Sequence, residues 1–249
     1  MNQQAPVALR RTWPQRFVLL FSVALIATCL FAASTIAGLY ESVGEIQRIA
    51  ISPDVLTGRD TSDPGGPRNI LLIGTTENDG IEKNDDLLAG RPNTRLADTI
   101  MLLRLEPATG QAAVMSINRD LWVERRSGYT YQGRINGAMQ TGGVESLVKV
   151  VQGFLGVPVN DFAVVNFSGF RKLVDQVGGV PVYFPYPARD LGSFFDMDAG
   201  CHVLDGATAL NYVRSRKYQE YIDRQWRNDN GNDQRRAERQ RDFLILMLD

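Results

Sequence analysis

A run of 24 residues without a charged side chain, from Phe17 to Tyr40, constrains this chain more than any other feature. A helix rises about 1.5 Å per residue, so a run of this length spans the ~30 Å hydrocarbon core of a bilayer with some tilt. A buried core helix rarely runs this long without a polar face. The run therefore predicts one transmembrane helix over residues 17–40.

The charges on either side of this run predict its orientation. The arm over residues 1–16 has basic residues and no acidic one, whereas glutamates follow the run closely (Arg10, Arg11 and Arg16; Glu41 and Glu45). The positive-inside tendency then places the arm in the cytoplasm and the C-terminal part outside the cell. A cleaved signal peptide is the alternative, supported by Ala32-Ala33-Ser34, but its apolar core would be only about 7–15 residues long. We favour an uncleaved, single-pass anchor in the cell membrane.

Composition divides the remaining chain into a linker and one domain. Residues 41–67 end in a segment rich in proline, glycine and aspartate. This composition predicts a juxtamembrane stalk that ends in a flexible connector. Residues 68–249 predict a single extracellular domain. The chain stops in an apolar helical run, DFLILMLD, which indicates either a packed terminal helix or a truncated domain, and we favour the second.

Apolar strands alternate with amphipathic helices in this domain, which predicts an α/β (α+β) sandwich with a mixed central sheet flanked by helices. The first strand is apolar throughout, as is typical of a strand in a sheet covered on both faces. A short turn between the second and third strands predicts a hairpin. The predicted strands are 69–74, 99–107, 112–117, 161–167 and 180–185, and the predicted helices are 144–156, 168–179 (capped by Ser168), 205–216 (capped by Asp205) and 235–248.

The charge is distributed unevenly along the chain. Residues 41–249 carry 24 basic and 28 acidic groups, whereas residues 214–241 carry nine basic and five acidic ones. A basic segment on an acidic domain indicates an anionic ligand more than a nucleic-acid surface, although a solvated, salt-bridged helix face is the alternative. The single histidine, His202, gives little support to a serine–histidine triad, a cysteine–histidine dyad or a histidine zinc site.

Polar clusters lie at the ends of the predicted hairpin. Arg95 and Asp98 precede its first strand, and the cluster Asn118-Arg119-Asp120 follows its second. A hairpin would bring Asp98 close to Arg119. An aspartate can hold Mg²⁺ while an arginine binds phosphate oxygens, but a structural ion pair fits the same spacing equally well.

Two further groups of residues are candidates for ligand binding. Four arginines and one glutamine lie near the ends of the last two predicted helices: Arg214, Arg216, Arg236, Arg239 and Gln240. Arginine fits phosphate, because its guanidinium binds phosphate through two parallel hydrogen bonds and stays charged. Arg134 and Asn136 belong to a glycine-rich segment, RINGAMQTGG, which either lines a ligand cleft or forms a plain turn.

The ordered set of segments resembles the LytR-CpsA-Psr family of cell-wall glycopolymer ligases, from Asn69 onward. The resemblance is carried by NILLIG at 69–74, ADTIML at 97–102, SINRD at 116–120, RINGAMQTGG at 134–143, NFSGFRKLVDQVGGVPV at 166–182, LDGATALNYVRSR at 204–216 and DQRRAERQRDFL at 233–244. The surroundings of Cys201, GCxxLDG, are similar to those in actinobacterial members.

The resemblance implies a phosphotransferase assisted by Mg²⁺, with Mn²⁺ as an alternative. Such an enzyme moves a phosphoglycan, here arabinogalactan or a teichoic-acid-like polymer, from a polyprenyl-pyrophosphate carrier at the membrane to a peptidoglycan hydroxyl. It implies that Asp98 is the metal-linked catalytic residue and that Arg119 binds the pyrophosphate. It also implies that phosphate is bound by Arg214, Arg216, Arg236 and Arg239, with Gln240 beside them.

The chain departs from the family pattern near the expected metal site. Thr76 stands where the family has a second aspartate, and the nearby substitutes are Glu77, Asp79, Asp85 and Asp86. Arg95 lies one position early, and Asn118 replaces a proline. A non-catalytic module that binds polyprenyl pyrophosphate or organises the wall machinery is therefore the alternative function, which Mg²⁺-dependent turnover would distinguish.

Overall fold

The computed structural model describes residues 49–52, 54–56, 66–75, 96–126, 128–229 and 232–248, with the backbone alone at residue 232. The predicted cytoplasmic arm and transmembrane helix, and most of the predicted stalk, lie outside these residues. None of the helices within the described ranges is long and apolar enough to cross a bilayer.

Short strands and four helices make up the described part of the domain. The strands are β1 (Arg68–Thr75), β2 (Ala97–Glu106), β3 (Gln111–Ile117), β4 (Trp122–Val123), β5 (Gly133–Arg134), β6 (Asp161–Val165), β7 (Val180–Phe184), β8 (Ala188–Asp190), β9 (Phe195–Met197), β10 (Gly200–Leu204), β11 (Gln219–Ile222) and β12 (Gln225–Asn228). The helices are α1 (Gly137–Leu155), α2 (Phe167–Gln176), α3 (Gly206–Arg214) and α4 (Asn232–Leu248).

The central sheet joins four strands in the order β3-β2-β1-β6. Strand β1 runs antiparallel to β2 and parallel to β6, and β2 and β3 form the predicted hairpin. The mixed central sheet is thus confirmed. The side chains of β1 alternate between buried and half-buried, so only one face, which carries Leu71 and Ile73, lies fully in the core.

Three smaller sheets complete the described part of the domain: β4 with β5, β7 with β10, and four strands in the order β12-β11-β8-β9. The sequence predicts only β7 among them. The other strands have two to five residues each, which is too short to show a hydrophobic period.

The described residues of the compact unit Ile51–Asp249 form two hydrophobic cores. The first gathers side chains of β1, β2 and α1, including Leu71, Ile100 and Leu147. The second gathers side chains of α2, β7, β9, α3 and α4 around Phe184 and Phe195, whose rings lie 5.7 Å apart. Helix α4 therefore packs on the second core and does not extend freely from the domain.

Every helix differs from its predicted bounds by at least one residue, and the starts of α1 and α2 are the most instructive. The predicted cap of α2, Ser168, lies inside the helix; the cap is Asn166, which accepts a hydrogen bond from the Gly169 amide at 2.8 Å. Helix α1 begins at Gly137, seven residues before the predicted start at residue 144. The predicted start lies directly after a kink at Gly142 and Gly143 (φ −142° and +67°). The predicted cap of α3 is confirmed, since Asp205 accepts from the Thr208 amide at 2.8 Å.

Candidate active site

The β2–β3 hairpin brings together the first two residues of the site. Ile100 pairs with Ile117, so Asp98, two residues before Ile100, lies opposite Arg119, two residues after Ile117. Arg119 Nη1 donates a hydrogen bond to Asp98 Oδ1 at 2.5 Å. The predicted proximity of this pair is confirmed, and it is fixed by the register of the hairpin.

Helix α4 adds a second ion pair beside the first. Arg236 Nη2 lies 2.7 Å from Asp233 Oδ1, and Arg119 Nε lies 3.5 Å from Asp233 Oδ2. One carboxylate therefore links two guanidinium groups. Sequence reasoning missed Asp233, although its position three residues before Arg236 on the same helix face was a usable signal.

Arg236 is buried, with 7% of its surface exposed. Burial, and then the nearby charge of Arg216, lower the pKa of Arg236 to about 10. The group stays protonated at neutral pH. The alternative of a solvated helix face is wrong for this arginine, and a buried cation has a strong requirement for anionic partners.

Gln240 joins the hairpin to the helices. The Thr99 hydroxyl donates to Gln240 Oε1 at 3.2 Å, and Gln240 Nε2 donates to the Val213 carbonyl at 3.0 Å. This side chain thus connects β2 to the C-terminal end of α3, from which Arg214 and Arg216 project.

Two pockets meet at a wall formed by Asp98, Thr99, Arg236 and Gln240, which line both. The first, of about 290 Å³, is also lined by Phe167, Asp190, Gly192, Ser193, Arg214, Arg216 and Lys217. It has four basic and two acidic side chains, and we call it the cationic pocket. Such a pocket attracts an anion.

The second pocket, of about 270 Å³, has Arg119, Asn118 and Asp233 in its lining. Its three basic side chains are matched by three acidic ones, and Ile100, Met101, Ile117 and Ala237 make it partly apolar. We call it the neutral pocket. The two sides of the wall therefore differ in charge.

The loop after α3 is held by the buried side chain of Asp190, which sequence reasoning missed. Asp190 Oδ2 accepts from the Ser215 hydroxyl at 2.6 Å and from the Arg216 and Lys217 amides at 2.9 and 2.8 Å. Burial acts to raise the pKa of this carboxyl, but these hydrogen bonds and one from the Gly192 amide outweigh it, so the pKa of Asp190 is lowered. The ionised carboxylate fixes the backbone from which Arg216 enters the pocket.

Several buried guanidinium nitrogens have donor capacity to spare. Among the described residues, Nε of Arg119 and Nε of Arg236 have no hydrogen-bond partner; the former has carboxylate oxygens only at 3.5 and 3.6 Å. A buried donor without a partner is costly. An anion bound at this wall would supply the missing acceptors.

The other predicted arginines have different surroundings. The Arg214 guanidinium lies over the Phe167 ring at 4.4 Å from its centroid, and both residues line the cationic pocket. Arg239 does not line either pocket; it binds the Asp229 carboxylate and the Ser215 carbonyl, and lies 4.7 Å from the Tyr218 ring centroid. The phosphate-binding role of Arg239 stays a prediction. Its contact with the Ser215 carbonyl supports the loop after α3 that carries Arg216.

The remaining predicted residues lie beside the site or beyond the described part. Arg134 lies on β5 and donates to Asp120 Oδ1 at 3.3 Å, and the Asn136 amide donates to the Arg119 carbonyl at 3.2 Å. The segment 134–143 thus comprises the end of β5, a two-residue turn at Ile135 and Asn136, and the N-terminal part of α1. Outside the described residues lie Arg95, Thr76, Glu77, Asp79, Asp85 and Asp86.

An ion-paired aspartate among several arginines, of which Arg236 is buried, at the end of a mixed sheet, defines a candidate anion-binding site of the kind that suits phosphate groups. The sequence model of the LytR_cpsA_psr family matches residues 40–249. The chain belongs to this family, as its motifs predict.

Two curated relatives and one solved structure illustrate the similarity. The "Probable cell wall biosynthesis protein LcpB" of Corynebacterium glutamicum is 35% identical over 156 residues, 59% of this chain and 36% of that protein. The "Polyisoprenyl-teichoic acid--peptidoglycan teichoic acid transferase TagU" of Bacillus licheniformis is 31% identical over 186 residues, 75% of this chain and 54% of that protein. The chain thus spans about half the length of these relatives or less. The crystal structure of B. subtilis TagV shares the fold, with a TM-score of 0.56 and 26% identity, over 74% of this chain and 65% of that one.

Proposed function

We propose that this protein is a phosphotransferase that moves a phosphoglycan from a polyprenyl-pyrophosphate carrier onto a peptidoglycan hydroxyl. The observation that carries the proposal is the set of arginines around Asp98, of which Arg236 is buried and Arg119 is ion-paired at 2.5 Å. The name of the TagU relative describes transfer of teichoic acid to peptidoglycan from a polyisoprenyl-linked form, which supports the same substrate class. The transferred polymer would be arabinogalactan or a teichoic-acid-like chain.

In this proposal the pyrophosphate lies in the cationic pocket and accepts hydrogen bonds from Arg214, Arg216 and Arg236. The acceptor oxygen bonds to the glycan-linked phosphorus, and the bond from that phosphorus to the bridging anhydride oxygen breaks. Polyprenyl phosphate leaves with the electron pair, and the hydroxyl proton passes to water. Negative charge on the phosphoryl oxygens is then stabilised by guanidinium groups that Asp98 and Asp233 already hold in position, so little reorganisation is needed.

Asp98 would also hold Mg²⁺ or Mn²⁺, which when bound neutralises phosphoryl charge. Mg²⁺ is commonly bound by one or two carboxylates together with substrate phosphate oxygens. Asp98 fits that donor set, because its carboxylate lines both pockets. Within the described ranges no group of three or more acidic, histidine or cysteine side chains could hold a metal, so the fit rests on one carboxylate and the substrate.

We further propose that residues 17–40 anchor the protein and that the domain over 68–249 acts outside the cell. The uncharged run and the basic arm before it support this arrangement. A carrier lipid and peptidoglycan are both accessible at the outer surface of the membrane.

The full chain in detergent micelles, with a synthetic polyprenyl-pyrophosphate oligosaccharide and a peptidoglycan acceptor, tests the proposal. We expect transfer by the wild type, loss of transfer in Asp98→Ala and Arg119→Ala, and a fall when EDTA is added. The matched controls are Asp196→Ala on β9 and Arg104→Ala on β2, two exposed residues that should leave transfer unchanged. Tight binding of the donor without turnover, in protein shown to be folded, would instead establish the non-catalytic binding module.

A further inference from the structure

A tryptophan stands exposed on the surface next to the site. Trp122 has 60% of its surface exposed, whereas its neighbour Val123 is 1% exposed. Tryptophan is highly buried on average, and an exposed indole at a polar surface is typical of binding sites. Trp122 lies on the β4–β5 ribbon, which directly follows the Asn118-Arg119-Asp120 cluster.

A short series of ion pairs joins this tryptophan to the site. Trp122 pairs directly with Arg134 across the ribbon, so the two side chains project from the same face. Arg134 Nη1 lies 3.3 Å from Asp120 Oδ1, and Asp120 Oδ2 lies 3.6 Å from Arg119 Nε. Trp122 is three residues after Arg119, which is at most about 10 Å of chain even when fully extended, so a ligand of two sugar rings is long enough to reach from Arg119 to the indole.

The ribbon is held rigidly against the domain. The Ile135 amide donates to the Leu121 carbonyl at 2.8 Å, and the Tyr131 hydroxyl donates to the Arg134 carbonyl at 2.6 Å. Val123 and Ile135, whose side chains face the domain, have 1% and 0% of their surface exposed. The indole is thus presented on a fixed support, which lowers the entropic cost of binding a ligand.

The surroundings of Trp122 favour a sugar ring over an apolar partner. The exposed residues near it in sequence or across the ribbon are charged and of both signs: Asp120, Glu124, Arg125 and Arg134. A single indole among such groups offers an apolar plate for the C–H face of a sugar, with donors and acceptors for its hydroxyls at the rim. A membrane or a protein core would require a larger contiguous apolar patch.

The position of the ribbon relative to the two pockets favours the acceptor over the donor. The attacking and leaving oxygens lie roughly in line in phosphoryl transfer. With the pyrophosphate in the cationic pocket, the acceptor is assigned to the neutral pocket, which shares Asp98 and Arg236 with it and is also lined by Asn118 and Arg119. The ribbon continues directly from these two residues.

We propose that Trp122, with Arg134 and Asp120 beside it, is the subsite that binds the acceptor glycan strand. The inference rests on the proposed transfer function. It assigns Trp122 the role of stacking on a sugar ring next to the one that carries the attacking hydroxyl.

The test is transfer by the full chain in detergent micelles, measured against varied concentrations of a soluble peptidoglycan glycan strand and, separately, of the lipid donor. For Trp122→Ala we expect the acceptor KM to rise about tenfold, as for loss of one ring stacked on an aromatic side chain, with the donor KM unchanged. Trp122→Phe should restore most of the acceptor affinity. Tyr183→Ala, which removes an aromatic side chain of similar exposure (67%) on β7, should leave both KM values unchanged.

A binding measurement separates failure of the subsite from failure of the transfer function. In a Trp13→Phe, Trp226→Phe protein, fluorescence reports on Trp122 alone, and adding the glycan strand without donor should shift it. Such a shift in protein that transfers nothing would refute the transferase proposal while supporting the glycan subsite. Three results for Trp122→Ala would each overturn the inference. The first is an unchanged acceptor KM, and the second is a raised donor KM without a change in the acceptor KM. The third is a loss of binding to anionic lipid vesicles while the acceptor affinity stays normal.

Discussion

Asp190 offers the sharpest test of how the site is held in shape. The change Asp190→Ala removes the acceptor of hydrogen bonds from the Ser215 hydroxyl and from the amides of Gly192, Arg216 and Lys217. Ser215 is fully buried, so its hydroxyl is left without a partner at a cost of about 1–3 kcal/mol, whereas the three amides are partly exposed and each loses a hydrogen bond of about 0.5–1.5 kcal/mol. We expect a loss of about 4 kcal/mol in the free energy of unfolding.

The variant Asp190→Asn separates the charge from the shape. Its amide oxygen can face Ser215, Arg216 and Lys217, but its NH₂ group then opposes the Gly192 amide. We expect a smaller loss of about 2 kcal/mol, since one hydrogen bond and the negative charge are removed. Urea unfolding of the full chain in detergent micelles, followed by fluorescence, measures both variants.

The dependence on pH has a definite sign. Because the pKa of Asp190 is lowered in the folded state, its ionisation adds stability above the unfolded pKa of about 3.9, and this contribution is lost as the pH falls through the folded value. The difference between wild type and Asp190→Asn should therefore be constant above about pH 5 and should shrink below pH 4.

Two results would refute this reasoning. One is a loss below about 1 kcal/mol for Asp190→Ala, which would mean that the loop finds other partners. The other is an equal loss for Asp196→Ala, an exposed aspartate on β9, which should cost no more than about 0.5 kcal/mol. Normal donor affinity in folded Asp190→Ala would show that Arg216 does not depend on this anchor.

Three further predictions concern the site and its support. Asp98→Asn should lower the transfer rate by about 100-fold or more with the melting temperature nearly unchanged, because it removes a charge that holds Arg119; retained transfer would contradict the assignment. Arg236→Lys should raise the donor KM about tenfold, since lysine keeps the charge but cannot donate from a planar fork; an unchanged donor KM would remove this arginine from the phosphate site. Gly206→Ala should destabilise the domain by about 3 kcal/mol, because its Cβ would lie 2.3 Å from the Arg171 carbonyl oxygen; a melting curve like that of the wild type would contradict the tight approach of α3 to α2.

Hydrophobic pattern predicts the central sheet well, because its strands are long enough to show a period. Strands β1, β2 and β3 are recognisable from their apolar residues alone, and the short turn between β2 and β3 implies their pairing. Once that hairpin is drawn, the contact of Asp98 with Arg119 follows from the register without further information. This half of the candidate site is local in sequence.

The other half depends on tertiary contacts that the local sequence does not encode. Asp190 contacts a hydroxyl 25 residues away, and nothing in its own segment distinguishes it from other acidic residues. Strands β11 and β12 are polar and four residues long, so only their mutual pairing reveals them. The burial of Arg236 is likewise a consequence of where α4 packs, and a basic helix seen alone resembles a solvated one.

The wall between the two pockets combines a contact that is close in sequence with one that is distant. Asp98 and Arg119 are 21 residues apart and meet as soon as the hairpin closes, whereas Thr99 and Gln240 are 141 residues apart. Contacts of such long range form late, because a large loop must be closed first. During synthesis the N-terminal part of the chain is made first, so an incomplete chain would have the Asp98–Arg119 pair but not the residues of α4. Any event that detaches α4, such as local unfolding or a proteolytic cut before it, would remove Arg236 and Gln240 from the proposed phosphate site while leaving the Asp98–Arg119 pair of the hairpin in place.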